Sequence, residues 1–301
     1  MIMNRCKKNL NDLPVKIVAH VFLTIFFITC VGAIGLIVGA SFQSQEEIWE
    51  RGYSLIPLKP TLEAYRVVFA NPYQLFRSYY NTIITTVIGT ICGVLLSASC
   101  GYVMSRKKYA YRRILSFYVF FTMMFNGGLV PTYIMISNWF NLKNTYGALI
   151  FPLLVNAWYI MLMKGYFAGI PDEIIEAATI DGSNEIYTFI RIVIPMSSSV
   201  IATIALFYIL GYWNDWYQSL LYVDDSNMYQ LQYLLMNIIK SAEFLNSEQG
   251  QVMNGVNQAA SVPTMNVRMA MCVLATFVML VVFPFFQKYF VKGIAVGSVK
   301  G

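Results

Sequence analysis

The 301 residues are 57% apolar and only 12% charged, about half the roughly 25% charge of a water-soluble domain. That excludes a soluble globular fold and places the chain in a membrane. The net charge of +6 is absorbed by the membrane topology described below and carries no argument for nucleic acid, and the five cysteines include no pair at metal-ligand spacing.

Crossing roughly 30 Å of hydrocarbon takes about 20 mainly apolar residues in a helix, because every backbone polar group has to be paired within the segment. Six stretches meet that test, and the fold class expected is an all-α membrane protein with six transmembrane helices. After a basic start (Arg5, Lys7, Lys8, Lys16) the first stretch runs from Val15 to Ser41. It is longer than the roughly 7–15-residue apolar region of a secretory signal and reads as a retained anchor. An external segment follows, carrying Glu46, Glu47, Glu50, Pro57 and Pro60, and Leu62 to Phe69 has the spacing of a helix lying on the outer face.

The second span, Tyr79 to Met104, opens on Tyr79, Tyr80 and Asn81 and carries Gly89, Gly93, Ser97, Ala98, Ser99 and Gly101, small residues that let helices approach closely. In the third, Ile114 to Ile136, the run Phe125-Asn126-Gly127-Gly128-Leu129-Val130-Pro131 predicts a loosened or broken helix. Broken membrane helices border cavities; a kink that only fits neighbouring helices together is the alternative, and Asn126 tilts the balance towards a pathway. The fourth, Tyr146 to Phe167, has Asn156, Trp158 and Tyr159 near its middle, the depth at which a solute would pass.

The fifth, Met196 to Leu221, carries Tyr208, Tyr212, Trp213, Asn214, Asp215, Trp216, Tyr217 and Gln218. Aromatic residues mark every membrane interface, so an anchoring role stays open for each of these rings. A carboxylate within a span is costly and faces a partner or a cavity, so pathway and structural roles stay open for Asp215. Between this span and the sixth, Val267 to Phe290, the polar external segment Tyr222 to Thr264 holds Asp224, Asp225, Glu243 and Glu248, with Leu231, Leu234, Leu235 and Ile238 at helical spacing. The cysteines, four of them in these spans, are read as small packing residues. With six spans both termini share a side, and 14 of the 21 Lys and Arg fall there, which makes it the cytoplasmic side, N-in and C-in.

The cytoplasmic loop between spans four and five is the most informative segment. Pro171 at a first helical position, followed by Asp172 and Glu173, starts a helix, and Gly182 stops it. A second helix after Ser183 or Asn184 places Ile186, Phe189, Ile190 and Val193 on one face and is closed by Pro195. Five acids (Asp172, Glu173, Glu176, Asp181, Glu185) against Arg191 exclude DNA binding by this helix-turn-helix, since phosphate would be repelled. No phosphate-cradling G-x-x-x-x-G-K-[ST] loop, catalytic group set or His-rich metal motif is present. The single His20 reads as an interfacial residue.

The run Glu176-Ala177-Ala178, Asp181-Gly182, Phe189, Ile192 and Pro195 resembles the EAA signature of permease subunits in binding-protein-dependent ABC importers. The tail Phe286-Gln287-Lys288-Tyr289-Phe290-Val291-Lys292-Gly293, ending Gly297-Ser298-Val299-Lys300-Gly301, is similar to the ending of carbohydrate-importer permeases of the maltose type. Phe125 to Tyr133 with Asn144-Thr145 looks like the branch handling complex oligosaccharides. One departure is Ser199, where the family often has a second proline four residues after the one at 195; it leaves the entrance of span five in doubt. The resemblance covers nearly all of the chain and implies one transmembrane domain, 1–301, with a core of about residues 79–290, an anchor helix at about 15–41 and a cytoplasmic tail, 291–301.

It also implies a bacterial cytoplasmic-membrane importer built with a homologous second permease subunit, two ABC ATPase subunits and an extracytoplasmic solute-binding protein. This chain would bind no cofactor and no nucleic acid, ATP and Mg belonging to the ATPases. Glu176, Ala177, Ala178, Asp181 and Gly182 would seat a coupling helix in an ATPase cleft, with Val299, Lys300 and Gly301 reaching between the ATPases. Asp215 would then face either the pathway or the second permease, and Asn126, Asn156, Trp158, Tyr159, Tyr208, Tyr212, Trp213 and Asn214 are the other pathway candidates. An ion-gradient-driven secondary transporter is the competing class; it would more often show intramembrane acids and an internal repeat, and Asp215 stands essentially alone.

Overall fold

A computed structural model describes residues 13–246 and 265–298, and every regular element among them is helical. The chain divides into two compact units, Met1–Ala70 with Ile238–Thr276, and Asn71–Asn237 with Phe277–Gly301.

In the first unit, α1 (Leu13–Ser41) exposes apolar side chains on all sides from Val15 to Ile28, as expected of a helix facing lipid or a partner. Ser44 caps the short α2 (Gln45–Arg51), accepting from the Glu47 amide, and α3 (Glu63–Val68) is the helix predicted for Leu62 to Phe69. The buried Gln43 joins these pieces: its Oε1 accepts from Ser54 N–H at 3.0 Å and its carbonyl from Asn266 Nδ2 at 3.1 Å. Glu47 accepts from the Leu58 amide, which together with the Gln43 amide holds its carboxyl below the ordinary value.

The second unit is organised by α4 (Pro72–Ser105), started by Asn71, whose side chain accepts from the Gln74 amide, with Pro72 in the first turn. After it come α5 (Arg112–Met124), α6 (Leu129–Trp139), α7 (Tyr146–Leu154), α8 (Ala157–Ala168), α9 (Asp172–Ile180), α10 (Glu185–Met196), α11 (Ser198–Trp213) and α12 (Tyr217–Tyr222). The last described helices are α13 (Leu231–Asn246) and α14 (Met265–Ser298). By length and composition α1, α4 and α14 each suffice to cross a membrane, and three bent pairs bring the number to six if each pair is one span.

Three of the expected spans are therefore not single helices. Between α5 and α6 the chain bends by 113°. The glycine pair does this: Gly128 has φ +90°, and Asn126 Oδ1 accepts its N–H at 2.9 Å, while Pro131 sits harmlessly in the first turn of α6. A 49° bend separates α7 from α8, where Pro152 lacks an N–H and Asn156 caps the new helix. The fifth stretch is cut at both ends. Its α11 meets α10 at 84° about Ser197, beyond the Pro195 expected to close the loop, and it stops at Trp213, before Asp215.

The core of this unit is a glycine–tyrosine seam. Gly89, Gly93, Ser97 and Gly101 recur every four residues on α4, and Tyr208 and Tyr212 stand four apart on α11. A Cβ built at Gly89 would lie 2.3 Å from the Tyr212 ring, and one at Gly93 2.7 Å from Tyr208. The buried hydroxyls then reach across: Tyr212 donates to the Ile150 carbonyl at 2.9 Å and Tyr208 to the Leu154 carbonyl at 3.0 Å, with Ser97 Oγ 2.8 Å from the Tyr208 oxygen. Two side chains thus tie α11, α4 and α7 together. Among the described cysteines Cys92 is half-buried, while Cys30, Cys100 and Cys272 lie on exposed helix faces. Gly89→Leu should push Tyr212 off α4 and, as overpacking costs about 1–3 kcal/mol, lower the thermal midpoint of the detergent-solubilised protein. An unchanged midpoint would mean the seam contributes nothing.

Candidate functional site

The α9–α10 loop is built on the inner core. Pro171 is the cap of α9 rather than its first residue, and Asp172 and Glu173 occupy the first turn. Ile175, Ala178 and Val193 are buried, Ile175 and Val193 in one cluster with Tyr102, Met163 and Phe167. The C-terminus of α9 has two backbone bonds in the Schellman pattern, Ser183 N–H to the Ala178 carbonyl at 2.9 Å and Gly182 N–H to the Thr179 carbonyl at 3.1 Å. These require a left-handed residue, and Gly182 supplies φ +83°. Asn184 then caps α10, accepting from the Tyr187 amide at 2.7 Å.

The expected apolar face of α10 is half right: Phe189 and Val193 pack on the core, but Ile186 and Ile190 are exposed, while Thr188 and, just beyond the helix, Ser197 are buried. A π-helical turn at Phe189–Val193 takes up one extra residue, so inward positions are spaced by five and then four instead of following the regular period. The outward surface of the loop is accordingly apolar at Ile180, 86% exposed, and Ile186, 71% exposed. Between the two helices lies an open groove of about 750 Å³ whose lining includes Ala178, Asp181, Gly182, Tyr187 and Arg191.

Polar contacts hold the loop to the rest of the unit. Tyr102 on α4 donates to Glu185 Oε2 at 2.7 Å, a link with no signature in the sequence. Lys107 Nζ lies 2.7 Å from Asp172 Oδ2, and Arg106 3.9 Å from its other oxygen. Glu176 is exposed, 3.9 Å from Lys108; Ala177 is exposed, Ala178 buried, and Asp181 is the C-cap of α9. Val299, Lys300 and Gly301 lie outside the described residues.

The pathway candidates fall into two groups. Trp158, Tyr159, Tyr208 and Tyr212 form one ring cluster with Phe207; Tyr159 meets Tyr208 edge-on at 4.8 Å, and only Trp158 is exposed. Asn126, Asn156 and Asp215 instead sit at helix breaks. Asn156 Oδ1 accepts from the amides of Trp158 (3.0 Å) and Tyr159 (3.3 Å), and Asp215 Oδ1 from those of Tyr217 (3.1 Å) and Gln218 (3.3 Å). Trp213 is buried, its ring 6.4 Å from Tyr79, and exposed Asn214 donates to the Leu210 carbonyl. Asn81 and Asn144 add cross-links between distant segments that nothing in the sequence signals. Asn81 donates to the carbonyls of Asn227 and Tyr229, and Asn144 accepts from the Asp224 and Asp225 amides, pinning the stretch that follows α12. His20 is exposed, its Nδ1 2.7 Å from the Lys16 carbonyl, and the described residues include no cluster of three groups able to hold a metal.

Long apolar helices, three bent helix pairs and a two-helix loop packed on their core define a helical membrane protein. The chain belongs to the family of binding-protein-dependent transport system inner membrane components, whose model matches residues 89–296. It is 37% identical over 280 residues to the polygalacturonan/rhamnogalacturonan transport system permease protein YtcP of Bacillus subtilis, covering 93% of this chain and 96% of that one. Protein LplC of the same organism is 38% identical, over 92% and 93% of the two chains. Among solved structures, a chain of a bacterial ABC transporter involved in the import of the acidic polysaccharide alginate superposes with a TM-score of 0.74 at 27% identity, over 93% of this chain and 98% of that one.

The hydrogen bond from Lys107, reinforced by its charge, holds the Asp172 carboxyl below the ordinary 3.8. A depressed folded value means the pair's contribution is complete above the unfolded value and is lost as pH falls through the lower folded one. Protection of α9 amides, compared between wild type and Asp172→Asn, should therefore differ at neutral pH and converge below about pH 4; a pH-independent difference would refute the pairing. Gly182→Val, forced into a left-handed conformation at a cost of roughly 1–2 kcal/mol, should loosen the loop more than Gly182→Asn in the same exchange measurement.

Proposed function

We propose that this chain is the membrane-spanning subunit of an ATP-driven importer that passes oligosaccharides, delivered by an extracytoplasmic binding protein, into a bacterial cell. The reading is of one transmembrane domain of six spans, N-in and C-in, working beside a homologous second permease and two ABC ATPases that hold the ATP and Mg. The observation that carries it is the two-sided loop: Ile175, Ala178 and Val193 are buried, while Ile180 and Ile186 stand bare on the outside. An apolar knob on a charged cytoplasmic loop is costly in water and suits a cleft in a partner. Its inner side is anchored to α4 by the Tyr102–Glu185 bond.

Glu176, Ala177, Ala178, Asp181 and Gly182 are assigned to that contact, with Val299, Lys300 and Gly301 as a second one. The cargo class rests on the relatives, whose names speak of polygalacturonan, rhamnogalacturonan and alginate. For the passage we retain Asn126, Asn156, Trp158 and Asn214, whose side chains or helix breaks are reached from outside the core. Tyr159, Tyr208, Tyr212, Trp213 and Asp215 support that passage from within the packing.

Glu176→Lys and Ile180→Asp should each abolish uptake and weaken ATPase association by roughly 30-fold or more, the scale of an interface hot spot. Membrane insertion should be unaffected, since Glu176 and Lys108 are both exposed and their 3.9 Å pair adds little stability. Gentle purification followed by mass spectrometry, with ATPase assays on acidic and neutral oligosaccharides, checks this; normal uptake by the variants, or a chain purified without a P-loop ATPase, would overturn it.

A further inference from the structure

Beside α9 lies a cavity of about 420 Å³ whose lining gathers Arg106, Lys107, Arg112, Arg113 and Lys164 against a single acid, Asp172. Asp172 is engaged by Lys107 and Arg106. Among the described residues no carboxylate lies within 4.0 Å of Arg112, Arg113 or Lys164. The bias of cytoplasmic loops towards Lys and Arg explains their side of the membrane. It does not explain why cations from the α4–α5 connection, the first turn of α5 and the last two turns of α8 converge on one hollow, where like charges repel.

Two further features have the same sign. α5 opens with Arg112 and Arg113, has no acid in its first turn and no side chain capping it at Tyr111. Cations at the positive end of a helix are unfavourable, and an anion placed there reverses that balance. Nor does α5 bury any residue: Ile114, Phe117, Tyr118, Phe121 and Met124 are exposed, an apolar track leading away from the arginines. Free phosphate and a lipid phosphate offer the same oxygens to this cavity, but only the lipid has chains to cover that track.

We propose that the cavity seats the phosphate of an anionic membrane phospholipid, with its acyl chains along α5. Assignment to the cytoplasmic leaflet rests on the N-in, C-in reading; binding itself does not. Lys107 and Arg106 serve both this phosphate and Asp172 of α9, so the lipid sits against the cations that hold the loop.

The test is native mass spectrometry of the full-length chain in detergent, titrated with phosphatidylglycerol or phosphatidylcholine, with and without millimolar inorganic phosphate. Wild type should retain phosphatidylglycerol over phosphatidylcholine by roughly tenfold or more. The Arg112→Gln/Arg113→Gln/Lys164→Gln variant should lose that preference with unchanged helix content by circular dichroism, and the charge-preserving Arg112→Lys/Arg113→Lys variant should keep it. Equal retention of both lipids by wild type, or an unaltered preference in the glutamine variant, overturns the site. Displacement of the lipid by inorganic phosphate alone assigns the cavity to a soluble anion and overturns the lipid. None of these outcomes depends on transport or on an ATPase, so the proposed importer stands or falls separately.

Discussion

In hydrocarbon each backbone N–H and C=O has to find its partner within the protein, and that requirement governs how this chain can break its helices. Where α7 gives way to α8 and α11 to α12, Asn156 and Asp215 take the amides that open the next helix, and before α6 Asn126 takes the amide of Gly128, the residue preceding the helix. The carbonyl side is served from a distance. Tyr208 donates to Leu154, at the end of α7, and Tyr212 to Ile150 one turn earlier. Both sides of the α7–α8 break are thus satisfied internally, whereas at the α11–α12 break the buried Asp215 Oδ2 has no hydrogen-bond partner among the described residues.

The same hydroxyls explain why α4 is lined with small residues. A ring can lie flat enough against a helix to reach the third helix beyond it only if no Cβ intervenes, and Gly89 and Gly93 remove the two that would. The seam continues through Ser97, bonded to Tyr208, to Gly101, where a Cβ would lie 2.8 Å from Met163 of α8. Tyr102, the next residue, packs with Phe167 and Phe189 and bonds Glu185. A continuous packed path therefore runs from the middle of α4 to the α9–α10 loop. In the proposed importer, motion of the loop would be delivered to α4, α8 and α11 together, as a rigid-body shift between two packed arrangements.

At the other end of α4 the chain is closed off by polar contacts. Thr82 accepts from the Leu231 amide, Thr85 from Gln230, and Asn81 takes up Tyr146 as well as the Asn227 carbonyl. The first residues of the long polar segment after α12 are thereby part of the fold, while residues 247–264 of it are outside the described structure. Asn144 adopts φ +57°, and its side chain and amide both bond the stretch from Tyr222 to Asp225.

Some of this was settled by the order of residues alone. Continuous apolar length dictates α1, α4 and α14, because nothing shorter or more polar can cross unaided. The acids after Pro171 and the glycine at 182 delimit α9 by local capping, and Leu231 to Ile238 mark α13 by their period. The glycine pair at 127–128 announced the break before α6. Hydropathy could not locate the breaks at Asn156 and Ser197, since a single polar side chain barely changes the mean of an apolar window; at Asn156 the side chain's bonds to the next amides decide where the helix restarts, whereas Ser197 makes no such bond and the chain turns there in its backbone alone. Nor could periodicity find the whole buried face of α10, because the π-helical turn at Phe189–Val193 adds a residue that a regular 3.6-residue period does not anticipate. Which carbonyl a tyrosine reaches, which loop acid pairs with Tyr102 and which cations share one hollow are matters of tertiary structure, because each partner lies tens of residues away in the chain and only the closed fold brings the two within a hydrogen bond.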